Sequence, residues 1–224
     1  MTVILQLPGV GYIRIMFKDR LAAGAMLADA LKKFQHEPGI VLAVPRGGVP
    51  VAFAVVKKLG FPLELVLTKK IGHPMNKEYA IGAASLTDYF VVPDKEVSQD
   101  YIDQELIRIR KRLMEMQEIF QGDRKPADPA GKTLIVIDDG MATGNTLLAT
   151  VRVLRKSNPA KIILAVPVAS RQAVARLSRE VDEVIALEIP QEFYGVGIFY
   201  ENFDQVSDEE VMYYLESFWK EVEK

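Results

Sequence analysis

The chain has 224 residues, 49% of them hydrophobic and 26% charged, with a formal net charge of -2. That is the make-up of an ordinary globular domain with a real core, and it offers no global attraction for nucleic acid or an anionic membrane. The absence of cysteine excludes disulfides, thiolate metal sites and cysteine nucleophiles together.

The first stretch, MTVILQLPGVGYIRIMF, is apolar but broken by Pro8 and Gly9, and it has no initial basic region or small-residue cleavage site. No run approaches the roughly twenty apolar residues of a spanning helix, so the expected location is the cytoplasm. Asp19 reads as the cap of a helix over Arg20 to Phe34, with Leu27, Leu31 and Phe34 on one face. Gly39 opens a first core strand, Ile40 to Val44, which ends at Pro45-Arg46-Gly47-Gly48. Pro50 then fits the first turn of a helix over Val51 to Leu59, and Gly60 stops it. Arg46 followed by two glycines sets backbone amides beside a fixed positive charge, which suits a pyrophosphate; a tight turn with a surface arginine uses the same residues.

Leu63 to Thr68 reads as a second buried strand. The following Lys69-Lys70-Ile71-Gly72-His73-Pro74-Met75-Asn76-Lys77-Glu78 is basic, broken by Gly and Pro, and expected to be an irregular loop. Such loops often carry function, while a run of charge is usually a solvated face. Ile81 to Leu86 and Tyr89 to Val92 read as short strands joined at Thr87-Asp88. Ser98 then caps a long helix with Ile102, Leu106, Ile109, Leu113, Met116 and Phe120 on one stripe. A buried stripe on a surface helix explains that spacing, and a dimer contact would use the same residues.

After the polar connector Gln121 to Lys132 comes the stretch that organises the chain, TLIVIDDGMATGNTLLATV from Thr133 to Val151. Leu134 to Ile137 is a continuous apolar run of the kind buried parallel strands show, and ligands in such sheets bind beyond the strands' carboxyl ends. The run ends in Asp138 and Asp139, then a turn, Gly140, Met141, Ala142, Thr143, Gly144, Asn145 and Thr146, that opens a helix. Backbone N–H groups at a helix start, with two threonine hydroxyls, cradle a phosphate. Two adjacent carboxylates would repel that phosphate but accept hydrogen bonds from the vicinal hydroxyls of a ribose. The loop therefore reads as a holder of ribose 5-phosphate. An Asp-Asp strand end also occurs in nucleotide triphosphatases, but those need a Gly-x4-Gly-Lys-Ser/Thr loop, and the chain has none.

Lys161 to Val166 and Val184 to Leu187 read as further core strands around a helix over Arg171 to Arg179, giving an α/β, doubly wound, mainly parallel sheet. The tail from Ile189 is rich in aromatics. Phe193, Tyr194, Phe199 and Tyr200 fit two uses equally, packing the last helix or stacking on a planar base. Ser207 and Glu210 form a capping box for that helix.

IVIDDGMATGNT resembles the phosphoribosyl-pyrophosphate (PRPP) signature of type I phosphoribosyltransferases. VPRGGVPVA, KKIGHPMNKEYAIGA and FYENFDQVSDEEV are similar to a bacterial and archaeal branch called predicted phosphoribosyltransferases. The resemblance covers nearly the whole chain. It implies one domain over 1–224, with a core at about 19–188, an insertion at about 69–130, one antiparallel strand beside the parallel sheet, and a hood from about 189–224 with part of 1–18. It implies transfer of ribose 5-phosphate from PRPP to a nitrogen acceptor, with PRPP and a base as small-molecule partners and Mg²⁺ as cofactor, held mostly by substrate and water with Asp138 and Asp139 as its protein donors. Arg46, Gly47, Gly48 and Lys70 fall where the family holds pyrophosphate, which its loop after the first core strand often does through an unusual backbone conformation. Arg46, Lys69, Lys70, Asp138 and Asp139 take the catalytic places, and the aromatic tail takes the base. Ala142 stands where hypoxanthine-guanine enzymes carry an Asp, which disfavours a 6-oxopurine acceptor. Dimers are common in the family, so a homodimer is an expectation of the resemblance alone. The family also contains PRPP- or nucleotide-sensing regulators on the same fold. PRPP synthesis, which shares the Asp-Asp loop, would need a second similar domain, and the chain shows no repeat.

Overall fold

A computed structural model describes residues 2–4, 16–122 and 124–222. Residues 5–15, assigned in part to the hood, lie outside them. The chain divides into two compact units, one of residues 1–66, 127–144 and 159–224, the other of residues 67–126 and 145–158.

The first unit is built on a six-stranded, wholly parallel sheet in the order β1 (Thr2–Ile4), β9 (Glu183–Glu188), β8 (Lys161–Val168), β7 (Thr133–Ile137), β2 (Gly39–Ala43), β3 (Leu63–Leu65). Every residue of β7 is buried, as its unbroken apolar run requires. The short edge strand β1 was not visible in the sequence, where Pro8 and Gly9 obscured it.

From β2 the chain passes through α2 (Gly48–Leu59) to β3 on one side. From β7 the later strands β8 and β9 add on the other. Right-handed crossovers then put α2 and α5 (Arg171–Leu177) on opposite faces. The strand order reverses between β2 and β7, and the crevice beyond their carboxyl ends is the switch point at which such sheets bind ligands.

Local signals fix the helix ends. Asp19 accepts from the Ala22 amide at 2.8 Å and opens α1 (Arg20–Leu31). Ser170 opens α5 in the same way. Ser207 and Glu210 make the reciprocal capping box before α6 (Asp208–Val222). A turn of 3-10 helix over Lys32–Phe34 completes the first helix.

The second unit holds an antiparallel sheet, β4 (Lys69–His73), β5 (Asn76–Ala84) and β6 (Tyr89–Val91), with α3 (Gln99–Gln121) and α4 (Asn145–Leu154). The segment expected to be an irregular loop is therefore a hairpin turning at Pro74-Met75, and the single antiparallel strand is a sheet of three. The reason is tertiary: Ile71, Ile81 and Ala84 bury themselves against Ile102, Leu106, Ile109 and Leu113, a stripe of α3, and that buried face is invisible in a locally polar sequence. The α3 stripe is thus used inside this unit. Register shifts around Gly72 absorb the irregular composition. No helix among the described residues is long and apolar enough to cross a membrane.

Candidate functional site

The loops leaving β2 and β7 meet at the switch point. The Val44 amide donates to the Ile137 carbonyl at 2.8 Å, which extends the strand pairing one residue past Ala43. The Pro45–Arg46 peptide that follows is cis. Gly47 and Gly48 then pass so close to the β7 end that side chains have no room. A Cβ on Gly47 would lie 2.0 Å from Oδ2 of Asp139, and one on Gly48 would lie 2.6 Å from the Ile137 carbonyl oxygen and 2.9 Å from the Asp138 Cα. These two glycines are required by close approach, and the same approach brings the start of α2 against the acid pair.

Each acid is held differently. Oδ1 of Asp138 accepts from the Asp139 amide at 2.8 Å. Oδ2 of Asp139 accepts from Nε of Arg20 at 2.9 Å, with the two side chains only 11% and 16% exposed. Burial, and then the neighbouring Asp139 charge, push the Asp138 carboxyl well above the ordinary carboxylate range. Burial also raises Asp139, against the pull of Arg20.

The C-terminal segment closes on the same acids. Tyr200 donates its hydroxyl to the Asp139 carbonyl at 2.6 Å, and its phenol is pushed up by burial and by that carboxylate. Arg20 donates to the Asp204 carbonyl at 2.8 Å and lies 3.9 Å over the Phe203 ring. Phe17 pairs with this segment, its amide on the Phe199 carbonyl and its carbonyl taking the Glu201 amide.

The phosphate-type loop is tied down at its first half. Met141, buried, exchanges backbone bonds with Val168 and Ser170, and the Ser170 hydroxyl donates to the Ala142 carbonyl at 2.5 Å. Gly140 lies under Val196. Gly144 takes a left-handed φ of 71° with Leu177 packed against it, so its need for glycine is conformational. Ala142, Thr143, Asn145 and Thr146 are exposed around it. Gly144 is the last residue of this part of the first unit, and Asn145 and Thr146 open α4 in the second.

Arg46 forms a two-pronged ion pair with Asp208 at the start of α6, Nε to Oδ1 at 2.7 Å and the terminal nitrogen to Oδ2 at 3.3 Å. Lys69 and Lys70 belong to the second unit, on β4. The Lys69 ammonium is lowered by burial and by the nearby Arg112 and Arg108 charges. His73 is buried, its Nδ1 accepting from the Met75 amide at 3.2 Å. Of the aromatic tail, Phe199 and Tyr200 are buried, Phe193 stacks on Phe199 at 5.8 Å, and Tyr194 is 80% exposed.

Arg20, Tyr200 as a hydrogen-bond donor, Asp208, Ser170 and Val196 are the residues that sequence reasoning missed in these roles. Arg20 was readable only as a helix residue, 119 positions from its acid partner. Ser170 alone carried a signal, as a cap before a predicted helix.

The sequence model of the phosphoribosyl transferase domain matches residues 18–198. The chain belongs to that family. Proteins of two Mycobacterium tuberculosis strains, CDC 1551 and H37Rv, each named "Putative phosphoribosyl transferase", are 38% identical over 206 residues, which is 90% of this chain and 46% of theirs. The chain thus spans about half the length of the curated relatives it matches. The crystal structure of TT1426 from Thermus thermophilus superposes with a TM-score of 0.83 at 39% identity, covering 91% of this chain and 99% of that one. The family match begins two residues before Arg20 and includes both loops of the switch point.

Proposed function

We propose that this phosphoribosyl transferase family member moves ribose 5-phosphate from PRPP to a nitrogen acceptor and releases pyrophosphate. The observation that carries the reading is the acid pair Asp138–Asp139 at the switch point, closely faced by the side-chain-free backbone of Gly47 and Gly48. The acids accept hydrogen bonds from the ribose diol, and the loop from Gly140 to Thr146 takes the 5-phosphate. In the reaction the C1–oxygen bond to pyrophosphate breaks with its electron pair leaving on pyrophosphate, the acceptor nitrogen forms the new C1 bond, and the acceptor gives up its proton. Positive charge develops on the sugar in between, and two carboxylates beside it stabilise that charge.

The leaving group needs neutralising. Arg46 supplies a planar guanidinium, now turned to Asp208, and must exchange that carboxylate for phosphate oxygens. Lys69 and Lys70 are assigned to the same anion. Mg²⁺, brought with the substrate, would supply further positive charge to pyrophosphate. The carboxylate oxygens of Asp138 and Asp139 fit such a hard cation, and among the described residues no cluster of three or more acidic or histidine side chains adds to them. For the acceptor, exposed Tyr194 and half-buried Phe193 have surface to offer a ring, while Phe199 and Tyr200 are committed to packing. Ala142 at the loop position of the 6-oxopurine enzymes' Asp supports an acceptor of another kind.

The test is calorimetric titration with PRPP and Mg²⁺, beside a pyrophosphate-release assay over a panel of bases. Binding with release on one base establishes the transferase. Binding without release on any base moves the role to sensing, and absence of binding overturns the reading. The double variant Asp138→Asn with Asp139→Asn is expected to lose PRPP binding.

A further inference from the structure

The geometry points to Arg20 as the residue that positions Asp139 for the ribose diol, and so as the source of the site's preference for ribose over a deoxy sugar. This rests on the reading of the acid pair as the ribose holder. Arg20 is the first residue of α1, and its backbone is fixed because Asp19 caps the turn. Its guanidinium then has three neighbours: Oδ2 of Asp139 at 2.9 Å, the Asp204 carbonyl at 2.8 Å, and the face of Phe203 at 3.9 Å. A guanidinium held on both donor edges and one face cannot follow its partner if the carboxylate turns, so the carboxylate is the group that is oriented.

The consequence lies at the other oxygen. With Oδ2 occupied by Arg20, Oδ1 is the atom a sugar hydroxyl can use, and its direction is set by the clamp. Asp138 does not share the clamp, since its Oδ1 is bound to a backbone amide. The Phe203 and Asp204 contacts tie the same guanidinium to the C-terminal segment that also reaches Asp139 through Tyr200. A buried ion pair kept only to hold the fold could be replaced by apolar packing at little cost. An arginine that stacks, donates twice and leaves one carboxylate oxygen available is suited to aiming that carboxylate.

The experiment measures, by calorimetry on the full chain with Mg²⁺, the affinities for ribose 5-phosphate, 2-deoxyribose 5-phosphate and pyrophosphate. The wild type is expected to prefer ribose 5-phosphate by about ten-fold or more, as a site built to bind a hydroxyl rejects an analogue without it. Arg20→Met is expected to bring that ratio to about two or below while pyrophosphate affinity stays within about two-fold, since the lost contact bears on the diol alone. Arg20→Lys, which keeps charge but neither the plane nor the second donor, should restore part of the ratio. Arg20→Gln serves in place of Arg20→Met if the latter does not fold. An unmoved ratio in the neutral variant overturns the role of Arg20 and leaves the functional reading standing. Equal weakening of all three ligands also overturns it, because that is the mark of a structural residue. A wild type that binds no ribose 5-phosphate overturns the functional reading and this one with it.

Discussion

The acid loop of the first unit and the cationic hairpin of the second handle charge in opposite proportions. At Asp138 and Asp139, two adjacent carboxylates have one guanidinium beside them, which pairs with Asp139 alone, and both are raised. At Glu105 on α3, one carboxylate takes two cations, Lys77 at 2.9 Å and Arg108 at 2.7 Å, and it is lowered. Burial dominates at the acid pair, whereas at Glu105 the Arg108 hydrogen bond outweighs it. The count of partners differs as well. The second arrangement is complete in itself and fastens the hairpin to its helix, with Tyr101 adding a bond from its hydroxyl to the Gly72 carbonyl. The first is short of positive charge, which a ligand or a developing sugar cation can supply.

The largest effect expected from breaking this contrast is at Gly48. In Gly48→Ala the new methyl meets backbone atoms on β7, which cannot step aside, so about 3 kcal/mol of stability should be lost, read as a drop in thermal midpoint. PRPP binding should go with it. Asp138→Asn comes next. Because the folded carboxyl is raised, its stabilising contribution is present below the ordinary carboxylate range and is lost as pH rises through the folded value. The variant should therefore be more stable than wild type by about 1 kcal/mol at neutral pH, with no advantage in acid, while losing about a hundred-fold in PRPP affinity. Denaturant titration across pH, paired with calorimetry, reads both; a variant less stable than wild type at neutral pH would contradict the charge shortage.

The parts of this arrangement that were legible in the sequence are those specified by neighbours in the chain. The run Leu134 to Ile137, the caps Asp19, Ser98 and Ser207, and the order of strands and helices each announce themselves within a few residues. The two loops of the switch point were found for the same reason. The hairpin at Lys69–Ala84 was hidden because the face that makes it a sheet is completed by α3, distant in sequence. Arg20 and Asp208 were hidden because each meets its partner across more than a hundred residues. Gly144 was found for an incomplete reason. It was legible only as a member of the phosphate-type turn, whereas its left-handed φ already demands glycine.

Glu105→Gln turns the comparison around. Its carboxyl is held down chiefly by the Arg108 hydrogen bond and then by Lys77, so its contribution is present above the unfolded value and is lost as pH falls through the folded one. The variant should cost about 1 kcal/mol at neutral pH, the modest size reflecting the exposure of both cations, and should converge with wild type in acid. Set beside Asp138→Asn, the two variants should depart from wild type in opposite directions as pH rises. Hydrogen exchange should place the lost protection in β4 and β5.

The smallest effect tests whether Arg46 is withheld from its anion. The Arg46–Asp208 pair is 45% exposed on each side, so its removal should change stability by less than about 0.5 kcal/mol. Yet Asp208 is a carboxylate occupying both prongs of the guanidinium assigned to pyrophosphate, and it competes for the geometry a phosphate would use. Asp208→Asn should therefore tighten pyrophosphate binding by about two-fold while leaving the thermal midpoint nearly unmoved. Arg46→Lys in that background should lose the gain, because an ammonium cannot engage two oxygens in a plane. If Asp208→Asn weakens pyrophosphate binding instead, Asp208 presents Arg46 to its ligand, and the pair belongs with the completed charges of the hairpin.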